Sequence, residues 1–241
     1  SCSYDSTVRL TDVGAKQFVC LWECDEDDHG AIVTAYLNHV TSQVLVGYGD
    51  GHVSMHDTRG RGKAQFHKTH ENKVRAVQAH PTDANYIATG SLDGLVKVFD
   101  VRKMKGPASC VNEWQHGKGV TWVSWNPSGT RLVSTSHDDT LRVFNNPTQK
   151  GGKVEKISHN NHTGRWLTPF RATFDPKSDS AFAVGSMSQP RGIDVYSAGT
   201  GKKLKRLEHE NFSSITSLHA FHPSLNVIVG GNSSGKVFVW R

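Results

Sequence analysis

The sequence predicts an all-β chain built from a repeated unit of short antiparallel strands. The first observation is a recurring phrase, seen as "YDSTVRLTD", "GDGHVSMHD", "LDGLVKVFD" and "HDDTLRVFN", which ends at Asp12, Asp57, Asp100 and Asn145. These ends are 45, 43 and 45 residues apart, and two looser copies, "PRGIDVYS" and "SGKVFVWR", end at Ser197 and Arg241. A period of this length is typical of propellers and solenoids.

A second marker has the same period. The dipeptides His80-Pro81, Asn126-Pro127, Asp175-Pro176 and His222-Pro223 recur at intervals of 46, 49 and 47 residues. Between the markers the pattern alternates with a period of two, as half-buried strands require, and Gly, Asn, Asp and Pro clusters separate the short runs. Each repeat therefore holds about four strands, which is the content of one propeller blade.

The organisation predicted is a single, partial β-propeller domain over residues 1–241, with repeats that end near 12, 57, 100, 145, 197 and 241. The chain opens and closes on a third strand, so we expect an N-terminally truncated array of about five and a half repeats. A complete ring of seven blades needs about 70 to 80 further residues at this period.

Composition narrows the function classes. The 241 residues carry a formal charge of +6, which favours nucleic acid or an acidic partner. No apolar run is long enough to cross a bilayer. Four cysteines occur without a second pair at metal-ligand spacing, so neither a metal nor another cofactor is predicted.

Two patterns resemble catalytic motifs. "GGNSSGKV", residues 230–237, is close to a phosphate loop, but strand-forming residues follow where that loop needs a helix. Ser134, His116 and Asp138 resemble a catalytic triad, but His70 and Asp93 repeat the His–Asp pair in another blade. A hydrogen-bond network that recurs in each blade explains these pairs better than a single active site. The sequence therefore predicts that the protein is not an enzyme.

Strand parity sorts the charged residues onto two rims. We call the first rim the end of each sheet where the chain enters the first strand and turns between the second and third strands; the second rim is the opposite end. The first rim receives Lys68, Lys73, Lys118, Arg165, Trp166 and Arg191, together with the acidic run at 25–28, Glu208 and Glu210. The second rim receives Arg59, Arg61, Lys63, Arg102, Lys103, Lys105, Lys150, Lys153, Lys202 and Lys203. By charge alone, nucleic acid would go to the second rim. Trp166 favours the first, because an aromatic ring stacks on or wedges between bases, although it is equally suited to packing at a blade entrance.

The repeats resemble those of WD-repeat β-propellers over essentially the whole chain. Three phrases, "NHTGRWLTPFRATFDP", "VGSMSQPRGIDVY" and "VGGNSSGKVFV", resemble more narrowly the family of WD repeat-containing protein 76 and its fungal relatives. They resemble more distantly the small subunit of the damage-specific DNA-binding protein.

The resemblance implies two contacts. "HDTR" and "FDVR" close consecutive blades and are similar to the box of WD-repeat substrate receptors of cullin-4 ubiquitin ligases. The resemblance implies that the chain docks to the large subunit of the damage-specific DNA-binding protein, with contacts from Asp57, Arg59, Asp100 and Arg102. The alternative is an Asp–Arg pair that only braces its own turn.

The second contact is with DNA. In the small DNA-binding subunit, the residues before Leu-Thr-Pro probe the duplex, and Leu167-Thr168-Pro169 follows Arg165 and Trp166 here. Lys73 stands at a position similar to a DNA-contacting lysine of that subunit.

The function expected is therefore that of a non-catalytic nuclear protein. It binds DNA or chromatin in the DNA damage response through Lys73, Lys118, Arg165, Trp166 and Arg191, and it serves a cullin-4 ligase as an adaptor. The alternative is a protein-interaction scaffold whose association with DNA is indirect. No membrane or small-molecule substrate is expected as a partner.

Overall fold

The computed structural model describes residues 1–24, 30–38, 41–59, 64–164 and 167–241. Within these ranges the chain forms 21 strands and two short 3-10 helices, at Val101–Lys103 and Pro107–Ser109, and no α-helix. None of the helices in these ranges is long and apolar enough to cross a membrane. The chain divides into two compact units, Ser1–Gln115 and His116–Arg241. The prediction of a single partial domain, and that of seven blades, remain predictions.

The first unit contains three antiparallel sheets. Sheet 1 comprises β1 (Thr7–Asp12) and β2 (Gln17–Glu23); sheet 2 comprises β3 (Ile32–Asn38), β4 (Gln43–Tyr48), β5 (His52–Asp57) and β6 (Gln65–Lys68); sheet 3 comprises β7 (Val74–Ala79), β8 (Tyr86–Ser91), β9 (Leu95–Asp100) and β10 (Asn112–Gln115). In each sheet the strands pair in chain order. This is the meander that the four-strand repeat predicts.

The second unit repeats the plan in three further sheets. Sheet 4 comprises β11 (Val120–Trp125), β12 (Arg131–Ser136), β13 (Thr140–Asn145) and β14 (Val154–Ser158); sheet 5 comprises β15 (Thr173–Phe174), β16 (Ala181–Ser186), β17 (Gly192–Ser197) and β18 (Lys203–Glu208); sheet 6 comprises β19 (Leu218–Phe221), β20 (Ile228–Gly231) and β21 (Val237–Trp240). In sheets 2 to 6, the phrases that define the sequence repeat thus end at or one residue beyond the third strand.

The cores lie between neighbouring sheets of each unit. In the first unit Leu45, Ile87 and Phe99 belong to one buried cluster. In the second unit Leu141 and Phe182 belong to a cluster that joins sheets 4 and 5. In the second cluster, the members that share β13 or β16 stand two positions apart along the strand, as residues on one face of a pleated sheet do.

One polar strand residue departs from this alternation. Lys97 alternates with Val96 and Val98 along β9, where a charged residue would face solvent, but its side chain is only 6% exposed. Its ammonium donates a hydrogen bond to the carbonyl oxygen of Pro107 at 3.0 Å and lies 3.7 Å from a carboxylate oxygen of Glu113. The segment with the second 3-10 helix therefore covers Lys97, and these two partners offset the desolvation of its charge.

Buried histidines fix the first rim of sheets 3 and 4. His70 Nδ1 donates to Asp93 at 2.9 Å, so its Nε2 accepts from the hydroxyl of Thr89 at 2.8 Å. The same arrangement joins His116 to Asp138 at 3.1 Å and to Ser134 at 2.8 Å. The two predicted His–Asp pairs are present.

Backbone hydrogen bonds also define the two rims within single sheets. On the first rim of sheet 3, the nitrogen of Leu92, in the β8–β9 turn, donates to the carbonyl of Lys73, just before β7, at 3.0 Å. On the second rim, the nitrogen of Val101, just after β9, donates to the carbonyl of Asn85 at 2.8 Å. The sorting of loops by strand parity is therefore correct for this sheet.

Buried histidines make stability depend on pH. Burial, the largest cause for each, lowers the pKa of His56, His116 and His219 from 6.5 to about 4. Between these values the unfolded chain binds protons that the folded chain excludes. The free energy of unfolding should therefore fall as pH is lowered from 6.5 towards 4, by about 1.4 kcal/mol per pH unit for each histidine. Denaturant unfolding at pH 7, 6 and 5 measures this, and equal stability at pH 7 and pH 5 would contradict it.

Candidate functional site

Two lysines predicted to contact DNA lie on the first rim with exposed side chains. Lys73 lies in the first unit, directly before β7, and its backbone nitrogen donates to the side chain of Asn72 at 2.7 Å. Lys118 lies in the second unit, two residues before β11, and its carbonyl accepts from the hydroxyl of Ser136 at 3.0 Å. In both cases the backbone is fixed while the ammonium group is exposed to solvent. This combination suits contacts to phosphate.

Arg191 differs from these lysines. It lies directly before β17 and is half-buried, and its Nη1 donates to the carbonyl oxygen of Met187 across the β16–β17 turn. The guanidinium therefore braces the turn that carries it. A DNA contact by Arg191 remains a prediction.

The connection between β14 and β15, residues 159–172, carries the stretch that the sequence singles out. Arg165 and Trp166 lie outside the described residues. The part that precedes them is fixed by Asn161, which is 2% exposed. The side-chain amide of Asn161 donates to the carbonyls of Ser136 at 2.8 Å and Thr140 at 3.1 Å, and its backbone nitrogen donates to Asp139 at 2.8 Å. Asn161 thus binds this connection to the β12–β13 turn.

The part that follows is fixed to the same sheet. The carbonyl oxygen of Phe170 accepts from the hydroxyl of Thr121 at 3.3 Å, and the nitrogen of Ala172 donates to the hydroxyl of Thr135 at 3.1 Å. Arg171, next to them, stacks on the Trp122 ring with its guanidinium carbon 4.4 Å from the ring centroid. This cation–π contact gives Arg171 a structural role. Both ends of the connection are therefore hydrogen-bonded to sheet 4 or to its β12–β13 turn.

Sequence reasoning missed the anchoring residues. Asn161 is one of two adjacent asparagines, and no local pattern distinguishes it from Asn160, which is exposed. Thr121 and Thr135 are ordinary strand residues by sequence. Only the pairing of β11 with β12 shows that their hydroxyls reach this connection.

A cavity of about 370 Å³ adjoins the connection within the second unit. Its lining residues are Leu167, Thr168, Ser217, Leu218, Gly231, Asn232 and Ser233. The segment that resembles a phosphate loop contributes to this wall as a hairpin turn, because Asn232 Oδ1 accepts from the backbone nitrogens of Ser234 and Lys236 at 3.2 and 3.1 Å. No helix N-terminus follows it, so the segment lacks the geometry of a phosphate loop.

The arrangement that resembles a triad is equally unsuited to nucleophilic chemistry. Ser134 is fully buried and the side chain of His116 is 0% exposed. A substrate carbonyl cannot reach that hydroxyl, and the same geometry recurs around His70. Among the described residues, no three His, Cys, Asp or Glu side chains come together as a metal site.

On the second rim, two Asp–Arg pairs close β5 and β9. The Arg102 guanidinium donates two hydrogen bonds to Asp100, from Nε at 2.9 Å and from Nη2 at 2.8 Å. Hydrogen bonding to Arg102 is the largest cause that lowers the pKa of Asp100 below 3.8. The Arg59–Asp57 pair is looser, with both distances at 3.3 Å. The side chains of Arg102 and Arg59 are 58% and 69% exposed, so each pair braces its turn and presents an arginine to solvent.

Because Asn161 fixes the connection, Asn161→Ala should lower the free energy of unfolding by about 2 kcal/mol, since two buried carbonyls lose their donor. Asn160→Ala is the matched control, because its exposed side chain accepts only the backbone nitrogen of His162. It should change stability by less than about 0.5 kcal/mol. Denaturant unfolding of both variants measures this, and equal effects would contradict the anchoring role of Asn161.

Comparison with known proteins identifies the repeat. The family described as WD domain, G-beta repeat matches residues 63–100, 108–145 and 201–241. Each match contains the fourth strand of one sheet and ends at or just beyond the third strand of the next sheet. The sequence repeat is therefore offset from the sheets by one strand.

Whole-chain relatives are more specific. WD repeat-containing protein 76 of Xenopus laevis is 35% identical over 100% of this chain and 42% of that protein, and its Mus musculus counterpart is 36% identical over 100% and 39%. DNA damage-binding protein CMR1 of Phaeosphaeria nodorum is 27% identical over 100% of this chain and 50% of that protein. The chain thus spans half or less of the length of these relatives.

A solved structure confirms the fold. A chain in the crystal structure of the mitotic checkpoint complex superposes with a TM-score of 0.78 over 98% of this chain and 68% of that chain, at 18% sequence identity. At that identity the likeness concerns the fold alone. The chain described here is a WD-repeat protein of all-β propeller fold that resembles WD repeat-containing protein 76 and its fungal relatives over its whole length.

Proposed function

We propose that this chain is the non-enzymatic propeller of a nuclear protein that contacts DNA or chromatin in the DNA damage response. The observations that carry the proposal are exposed Lys73 in the first unit and exposed Lys118 in the second, each on a fixed backbone at the first rim of its own sheet. The similarity to proteins named DNA damage-binding supports it, as does the net charge of +6. Neutralisation of phosphates by lysine releases counterions, so the affinity should depend strongly on salt.

In the proposal, the connection of residues 159–172 in the second unit supplies a non-ionic contact to DNA. In the proposal, Trp166 stacks on or wedges between bases and Arg165 contacts a neighbouring phosphate. The hydrogen bonds of Asn161 and Ala172 hold the two ends of the connection on sheet 4. A rigid support of this kind lowers the entropic cost of ordering a contact on binding.

The second rim is proposed as the docking surface for a ubiquitin-ligase adaptor, the large subunit of the damage-specific DNA-binding protein in a cullin-4 ligase. Asp100 uses two of the five guanidinium N–H groups of Arg102, which leaves three directed elsewhere. Arg59 presents its guanidinium in the same way after β5. A planar donor fork of this kind recognises carboxylates and carbonyls of a partner.

The alternative function is a scaffold whose association with DNA is indirect. The exposed cations of the second rim favour it, since Arg102, Lys103 and Lys105 lie within four residues of one another. Such a cluster suits the acidic tail of a partner protein. The two functions differ in whether purified protein, freed of nucleic acid, binds DNA at low salt.

A salt titration of duplex DNA binding by the full-length protein tests the proposal. Lys73→Glu combined with Lys118→Glu should weaken binding at least about tenfold at low salt and lower the slope of log affinity against log salt by about two. Lys103→Glu combined with Lys105→Glu changes the net charge equally on the second rim and should leave the slope unchanged.

Equal losses in both double variants would contradict the choice of rim, and no binding by the wild-type protein would favour the scaffold. Trp166→Ala removes the aromatic ring and leaves the charge unchanged, so it separates stacking from charge. It should weaken binding even in high salt, where phosphate contacts contribute least.

A further inference from the structure

The turn between β16 and β17, residues 187–191, presents an exposed serine on the first rim of sheet 5. Strand β16 ends at Ser186 and β17 begins at Gly192. Ser188, Gln189 and Pro190, at the tip of the turn, are all exposed. Because this turn joins the second strand of its sheet to the third, Ser188 stands on the rim that is proposed to meet DNA.

Two arginines hold the ends of this turn. Arg191 Nη1 donates to the carbonyl oxygen of Met187, at the start of the turn. Arg206, on β18, donates from Nη1 to the carbonyl oxygen of Pro190 at 3.3 Å. The backbone is therefore fixed on both sides of the tip, so a group added to the Ser188 side chain takes a defined position.

The two arginines differ in their charge partners. Arg206 is paired with Asp194, which accepts from Nε at 2.7 Å and from Nη2 at 3.0 Å. Within the described ranges, no carboxylate pairs with Arg191, and its buried Nε has no hydrogen-bond partner. A buried donor without an acceptor costs stability, and an anion beside Arg191 would supply the acceptor.

Ser188 also belongs to a small set of hydroxyl residues that directly precede a glutamine. One class of serine/threonine protein kinases selects glutamine at the position after the acceptor. The chain contains three such dipeptides, Ser42-Gln43, Thr148-Gln149 and Ser188-Gln189. The structure distinguishes between them, because a kinase needs an exposed acceptor in a backbone that it can extend.

The first two dipeptides do not meet this requirement. Ser42 has a left-handed backbone, with a φ of 54°, and its carbonyl accepts from the backbone nitrogen of Thr58 at 3.0 Å. Thr148 is half-buried. Of the three dipeptides, Ser188-Gln189 is the one in which both residues are exposed.

We propose that Ser188 is a phosphorylation site for a kinase that selects glutamine after the acceptor, and that Arg191 binds the phosphate. Ser188 Oγ attacks the γ-phosphorus of ATP and forms the new O–P bond. The bond from that phosphorus to the β,γ-bridging oxygen breaks, and ADP leaves with the bonding electrons. The hydroxyl proton passes to the catalytic aspartate of the kinase. The added group brings a charge of about −2 and three acceptor oxygens.

The phosphate lies within reach of Arg191. The guanidinium already contacts the carbonyl group of Met187, which the peptide bond joins directly to the nitrogen of Ser188. An arginine beside a phosphate donates charge-assisted hydrogen bonds to it. The consequence for DNA rests on the proposed function. Negative charge on the first rim repels the phosphates of DNA, and Arg191 is no longer available to them.

Phosphate mapping of the full-length protein tests the site. The protein is incubated with ATP and a purified glutamine-selective kinase, and the phosphopeptides are identified by mass spectrometry. Within residues 1–241, Ser188 should be phosphorylated, whereas Ser42 and Thr148 should not. Ser188→Ala should remove the phosphate from this range. Phosphate on Ser42 or Thr148 without Ser188, or none in this range, would overturn the proposal.

Phosphorus NMR of the phosphorylated protein as a function of pH tests the partner. The second pKa of phosphoserine is ordinarily about 6, and an adjacent guanidinium should lower this pKa because it favours the dianion. Arg191→Gln should restore the pKa to about 6, and Arg191→Lys should restore it in part. Lys202→Gln removes the same charge from an exposed position of the second rim and should have no effect. A pKa that Arg191→Gln leaves unchanged would overturn the role of Arg191.

DNA binding provides the third measurement. At low salt the phosphorylated protein should bind duplex DNA about three- to tenfold more weakly than the unmodified protein. Thr200→Glu adds negative charge at an exposed position on the second rim of the same sheet, and it should leave the affinity within about twofold. Unchanged affinity after complete phosphorylation of Ser188 would overturn the effect on DNA. Absence of binding by the unmodified protein would contradict the proposed function and leave the mapped site intact.

Discussion

The buried hydrogen bonds of His70 and His116 are the interaction on which the rest of the structure depends. Each imidazole donates to an aspartate in the turn between the second and third strands and accepts from a hydroxyl of the second strand. The histidine itself stands in the segment that enters the first strand. It therefore ties two separate loops together in a site without solvent, where an unpaired polar group would be costly. The lysines of the first rim stand on those loops and take their positions from this network.

The two rims present cations in different ways. On the first rim Lys73 and Lys118 have fixed backbones and exposed side chains, which suits a flexible polyanion. On the second rim Arg102 is held in one orientation by its own aspartate, which suits a partner of defined shape. The strand content, the His–Asp pairs and the parity of the loops could all be predicted from the sequence, because each depends on local periodicity and on a repeated spacing.

Other features depend on long-range register, which local patterns do not determine. The connections from third to fourth strands differ in length between sheets. The sequence therefore does not show that Arg142 of β13 lies opposite Lys156 of β14. The sequence pattern predicts a solvent-facing strand residue at Lys97, but in the structure the segment after β9 covers its side chain. Asn161 is likewise recognised as an anchor only when the β12–β13 turn is placed beneath it. Tertiary packing, which decides these positions, overrides the alternation seen in the sequence.

If opposite ends of the sheets serve different partners, the protein should bind DNA and the adaptor at the same time. The affinity of the full-length protein for a duplex is measured with and without a saturating amount of the large subunit of the damage-specific DNA-binding protein. Arg59→Ala combined with Arg102→Ala is the control that should lose the adaptor and keep DNA. The DNA affinity should be unchanged, and a ternary complex should form. Mutual exclusion of DNA and adaptor would contradict it.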